Sequence, residues 1–143
     1  MPYVFLDDIA IADVAFEAWG DTLEALFVSA AEATVNVMVE DLDSIGERVD
    51  RVVRVESEAR DLLLFNFLQE FIFFKDAQQL LLRPSEIEIS RTGGGFAVDA
   101  RLVGETLDPE RHSLVVDVKA VTLHRFKVEE TERGWEAFVI LDI

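Results

Sequence analysis

From Leu23 onward, apolar positions recur three and four residues apart. Leu23, Leu26, Phe27, Ala30, Ala31, Thr34 and Met38 fall on one helical face. Asp21 is positioned to cap this helix, with Glu24 three residues later in the manner of a capping box. Asp41-Leu42-Asp43-Ser44 ends it. A second helix is predicted over Ala59 to Lys75. It is apolar nearly all round except for a stripe of Asn66, Gln69 and Glu70, so it is expected to be buried on most sides. Elsewhere the period is two. Pro2 to Ile9 reads as a strand running into a turn at Asp7-Asp8, Val14 to Ala18 as an extended piece, and Arg51 to Glu58 as a strand with one solvated face. After Leu80 the chain is β-rich. Ile87, Ile89, Phe96, Val98 and Ala100 flank Gly93-Gly94-Gly95, a hairpin turn. Asp108-Pro109-Glu110 marks a loop. Val115 to Val118 and Ala120 to Val128 are expected to be extended, and Glu129 to Gly134 to turn. Trp135 to Asp142 is a closing strand whose continuous apolar run, Ala137 to Leu141, predicts an interior position.

The length of 143 residues corresponds to a single domain, 1–143. Half the residues are hydrophobic, enough for a substantial core. The formal charge of −16 argues against a direct grip on nucleic acid or on anionic membranes; it is compatible with metal ions or a basic protein partner, and equally with solubility or a high-salt or hot habitat. The absence of cysteine excludes disulfides and Cys-based zinc sites. No secretory signal is visible, and Leu62 to Phe74 is too short and too polar to span a bilayer. A soluble, cytoplasmic protein is expected.

The candidate chemistry lies at the two ends. Asp13 and Asp142 each stand at the edge of an apolar stretch, and Ile143 carries the terminal carboxylate beside Asp142. If the fold joins the ends, these groups form an anionic, oxygen-rich cluster suited to a hard cation such as calcium. As isolated residues, Asp13 reads more readily as a turn or cap and Asp142 as a solvated chain end. Lys119, between Val118 and Ala120, is either partly sheltered or a snorkelling surface lysine. His112 and His124 lack zinc spacing and read as incidental. No serine sits in a nucleophile elbow.

Several segments occur in order: Ala12-Asp13-Val14, Ala18-Trp19-Gly20-Asp21-Thr22-Leu23-Glu24, Leu64 to Glu70, Val118-Lys119-Ala120-Val121-Thr122 and Val139-Ile140-Leu141-Asp142-Ile143. Together they resemble the archease family over nearly the whole chain. The resemblance implies an α+β fold, a compact two-layer α/β sandwich with a strand–helix–strand–strand core, here with two main helices and a β-rich C-terminal half. It implies a cytoplasmic, non-enzymatic activator of the RtcB-type RNA ligase of tRNA splicing. Such a protein promotes guanylylation of the ligase's active-site histidine and multiple turnover, and widens the range of nucleotides the ligase accepts. It further implies a metal site at Asp13, Asp142 and Ile143, and a role for Lys119 in activation. The chain departs from the family's Asp-His-Thr-Ala-Asp. It reads Asp7-Asp8-Ile9-Ala10-Ile11-Ala12-Asp13, two residues longer and without the histidine. Asn66 and Gln69 replace the His and Asp often found in the second helix. Two other classes remain open: a general chaperone or interaction module for RNA-modifying enzymes, and a small metal-dependent hydrolase, which lacks an evident general base.

Overall fold

The computed structural model describes residues 2–6 and 13–143. The turn expected at Asp7-Asp8 lies outside them. In chain order the elements are β1 (Tyr3–Leu6), β2 (Asp13–Gly20), α1 (Leu23–Met38), a single 3-10 turn (Leu42–Ser44), β3 (Val49–Ser57), α2 (Arg60–Gln78), β4 (Leu80–Thr92), β5 (Gly95–Thr106), β6 (Ala120–Thr131) and β7 (Gly134–Asp142). The strands form two antiparallel sheets, β1-β2-β7-β6 and β3-β5-β4, giving the expected α+β fold. The closing strand β7 is interior, as its apolar run predicted. Among the described residues no helix is long and apolar enough to cross a membrane.

Each helix packs against strands of both sheets. This explains why α1 is buried beyond its predicted face: Ser29, Ala33, Val35 and Val37 are buried as well. The Ser29 and Thr34 hydroxyls are satisfied by donating to the carbonyls of Ala25 and Ala30, both at 2.9 Å. The cap of α1 differs from expectation. Thr22 is the N-cap, with an extended backbone, and its Oγ1 accepts from Ala25 N–H at 3.1 Å. Counting from Thr22 puts Ala25, not Glu24, at the reciprocal box position, and Glu24 instead accepts from Ile89 N–H at 3.4 Å.

The second helix leaves one face in solvent, carrying Leu62, Asn66 and Phe73. The predicted polar stripe is therefore only partly the exposed one: Asn66 is exposed, whereas Gln69 and Glu70 are half-buried. Gln69 reaches edge strand β6, where its Oε1 accepts from Val121 N–H at 2.9 Å. That bond satisfies a backbone donor that the sheet leaves unpaired.

Two β expectations are corrected. Val115 to Val118 is not a strand: its nearest ladder contact is an isolated bridge between Val39 and the preceding Leu114, and Val115 N–H donates to the Met38 carbonyl at 2.9 Å. Val115 and Val116 stay exposed, and Val118 alone is buried. β6 also runs further than predicted, to Thr131, so the turn into β7 is shorter. That turn requires Gly134: its φ is +111°, and a Cβ there would lie 2.5 Å from the Gly20 carbonyl oxygen. A register shift between Thr122 and Lys127 bulges β6. Arg125, at φ 57°, lays its guanidinium over the Phe138 ring at 4.8 Å, while Phe126 meets Phe65 of α2 edge-on at 5.7 Å.

A candidate metal centre at the ends of two strands

The antiparallel register of β2 and β7 sets Asp13 directly opposite Asp142. Across the other side of β7, Asp142 is opposite Ala120 of β6. Paired residues project to the same face of a sheet, so the two carboxylates share a face at the sheet's end. Both are half-buried, as is Ile143. Among the described residues neither carboxylate has a Lys, Arg or His partner at salt-bridge distance. Like charges directly opposite on neighbouring strands destabilise a sheet. The arrangement is thus one that a bound cation would relieve. Among the described residues no three Asp, Glu or His side chains cluster tightly enough to make a metal site on their own. The Asp13–Asp142 pair therefore needs further oxygen donors, such as those of Ile143, other backbone oxygens or water, to complete a shell for a hard ion.

The fold connects Lys119 to this pair through its backbone: Lys119 N–H donates to the Asp142 carbonyl at 2.8 Å. Its side chain is exposed rather than sheltered, because Val118 before it takes the inward position. The lysine lines an open hollow against α2 with Gln69, Ile72, Phe73, Asp76 and Ala77, and Phe73 is 54% exposed there. The structure therefore brings Asp13 and Asp142 together and places Lys119 beside them on the chain, with its side chain lining a different hollow.

Two polar clusters hold the segment that delivers Lys119, and neither was foreseen. Lys75, buried near the end of α2, donates to the Asp117 and Asp76 carboxylates. Burial pulls its pKa down, but the hydrogen bonds to Asp117 and Asp76 outweigh that and raise it. Further back, Glu105 is 3% exposed at the end of β5. It accepts from Gly46 N–H at 2.6 Å, from Arg111 at 2.7 Å and from His112 Nε2 at 2.9 Å, with Arg48 at 3.3 Å. His112 Nδ1 accepts from Asp108 N–H at 2.9 Å, which leaves the proton on Nε2 to face Glu105. The Gly46 N–H, followed by His112 and Arg111, holds the Glu105 carboxyl down at about 2 despite its burial. His112 is thus a structural hub rather than an incidental residue.

Sequence comparison agrees with this architecture. Residues 3–143 match the family described as Archease protein family (MTH1598/TM1083). Protein archease of Pyrococcus abyssi is 37% identical over 133 residues, covering 92% of this chain and 93% of that protein. Protein archease of Archaeoglobus fulgidus is 36% identical over 145 residues, covering 100% of both. The solution structure of Methanobacterium thermoautotrophicum protein 1598 superposes with a TM-score of 0.85 at 31% identity, covering 99% of each chain. The crystal structure of a Thermotoga maritima archease, described as a possible chaperone, shares the fold with a TM-score of 0.57 at 19% identity, over 94% of this chain and 93% of that one. The chain belongs to the archease family.

Proposed function

We propose that this chain is a cytoplasmic activator of an RtcB-type RNA ligase in tRNA splicing, promoting ligase guanylylation and multiple turnover, and is not itself an enzyme. The observation that carries the reading is the facing pair Asp13 and Asp142, tied through the Asp142 carbonyl to Lys119 N–H, in a family member of charge −16. Asp13, Asp142 and the Ile143 carboxylate hold a divalent cation, with calcium preferred because every donor is an oxygen. When bound, the ion neutralises the facing carboxylates and fastens β2 to β7. The exposed Lys119 ammonium meets an anionic group of the ligase or its nucleotide, as a compact point charge suits. The acidic surface draws a basic ligase by long-range attraction, so association slows as salt rises.

Lys119→Ala tests the division of roles. Its exposed side chain predicts a melting temperature within about 1 °C of wild type, since surface substitutions away from special features change stability little. Ligase guanylylation is expected to fall roughly tenfold, equivalent to about 1.4 kcal/mol. A large loss of stability with normal activation per folded molecule would make Lys119 structural. The chain end is tested separately. Adding two residues after Ile143 is expected to weaken calcium binding although the added tail is exposed, and unchanged affinity would remove the Ile143 carboxylate from the site.

The Thermotoga relative's description as a possible chaperone supports a second reading, a general chaperone for RNA-modifying enzymes. Pull-down with this chain distinguishes the two. A single ligase retained, whose guanylylation then rises, supports the activator. Retention of many unfolded clients supports the chaperone.

A further inference from the structure

Thr122 carries an enclosed hydroxyl with no hydrogen-bond partner among the described residues. Such orphans are rare because a buried hydroxyl gives up its bonds to water on folding. The Thr34 and Ser29 hydroxyls of this same protein find a carbonyl one helical turn away. The position of Thr122 gives its hydroxyl a reason to stay open. β6 and β7 keep unbroken register from Ala120, opposite Asp142, to Thr122, opposite Ile140, and the shift begins only after Thr122. Ile140 in turn is opposite Ala15 of β2, as Asp142 is opposite Asp13. By the two-residue alternation of strands, Thr122 therefore shares a face with Ala120, Asp142 and Asp13. It stands diagonal to Asp142, a relation that separates residues by about 7–8 Å. Ala120, directly opposite Asp142, puts only a methyl on that face.

We infer that the Thr122 hydroxyl belongs to the cation site, held by a hydrogen bond to a water in the ion's coordination shell. The inference rests on the proposed cation site and adds a residue to it. The diagonal spacing suits one bridging water, and calcium keeps waters among its oxygen ligands. A hydroxyl that both donates and accepts can orient such a water between itself and the Asp142 carboxylate. Groups of this outer shell commonly tune metal affinity by 10–100-fold.

The test uses the full chain stripped of metal and titrated with calcium chloride by calorimetry. Thr122→Val keeps the shape and removes the hydroxyl, while Thr122→Ser keeps the hydroxyl. Wild type is expected to bind. Thr122→Val is expected to bind at least about tenfold more weakly, Thr122→Ser within about twofold of wild type, and metal-free Thr122→Val to melt no lower than metal-free wild type. Thr122→Ala, expected to weaken binding like Thr122→Val, serves if the valine variant fails to fold. Unchanged affinity in Thr122→Val and Thr122→Ala, with a raised melting temperature, would make the hydroxyl a mere buried orphan and overturn the inference while leaving the cation site standing. No calcium uptake by wild type would overturn the cation site and this inference together.

Discussion

Asp142→Asn is expected to weaken calcium binding on the order of 100-fold, or about 2.8 kcal/mol at 1.4 kcal/mol per decade. The same substitution should make the metal-free protein slightly more stable. Asp142 is directly opposite Asp13, and removing one of two like charges across a strand pair relieves about 0.2–1 kcal/mol. An ion that binds only the folded chain adds stability by mass action, and the variant should lose that gain at calcium concentrations that saturate wild type. The two melting curves should therefore cross: the variant melts above wild type without calcium and below it with calcium. Thermal melts at several calcium concentrations read both effects. A variant that melts lower with and without the ion would show that Asp142 holds the strand end by contacts within the protein.

Glu105→Gln should produce the largest loss of stability, about 3 kcal/mol, within the range for breaking a buried, hydrogen-bonded charge. The carboxylate takes hydrogen bonds from Gly46, Arg111 and His112, all donors. The amide nitrogen of glutamine would set a donor against one of these donors, and the charge facing Arg111 and Arg48 would be gone. Urea unfolding should show a lower midpoint at unchanged slope, and a loss below about 1 kcal/mol would contradict the role given to the cluster. The pH dependence has a definite sign. The folded carboxyl titrates at about 2, below its ordinary 4.5. The unfolded chain therefore binds the proton first as pH falls. The contribution of Glu105 is complete above about pH 4.5 and is lost progressively towards pH 2. The stability gap between wild type and Glu105→Gln should narrow over that window.

The elements that a local pattern could reveal were those whose pattern had one physical cause. Gly93-Gly94 turns between two alternating stretches, and the unbroken apolar run of β7 follows from its interior place. Val115 to Val118 misleads because a β-branched run looks like a strand whether or not a partner edge is free to receive it. Here the stretch is tied down by Lys75 holding Asp117, and Val115 and Val116 face solvent while Val118 is buried. The apolar periodicity of α2 concealed its exposed face, since Leu62 and Phe73 lie on the solvent side. The Asp13–Asp142 pair could be anticipated only on condition that the two ends meet, and the β2–β7 register supplies that condition. The hub at His112 could not be read in advance. Its acceptor Glu105 is bonded to Gly46, 59 residues away, and no local spacing carries that contact.

In the proposed function this chain acts on the ligase rather than on RNA. At −16 it should be repelled by polyanionic RNA, so on the proposed function its effect on the ligase should persist when RNA is left out. The most direct measurement is the guanylylated fraction of the same organism's ligase, with GTP and a divalent metal, with and without trace amounts of this protein, and with RNA left out. The fraction is expected to rise well beyond one equivalent per added molecule, without RNA. Stimulation only in the presence of RNA, together with micromolar or tighter binding of that RNA by this protein alone, would contradict it.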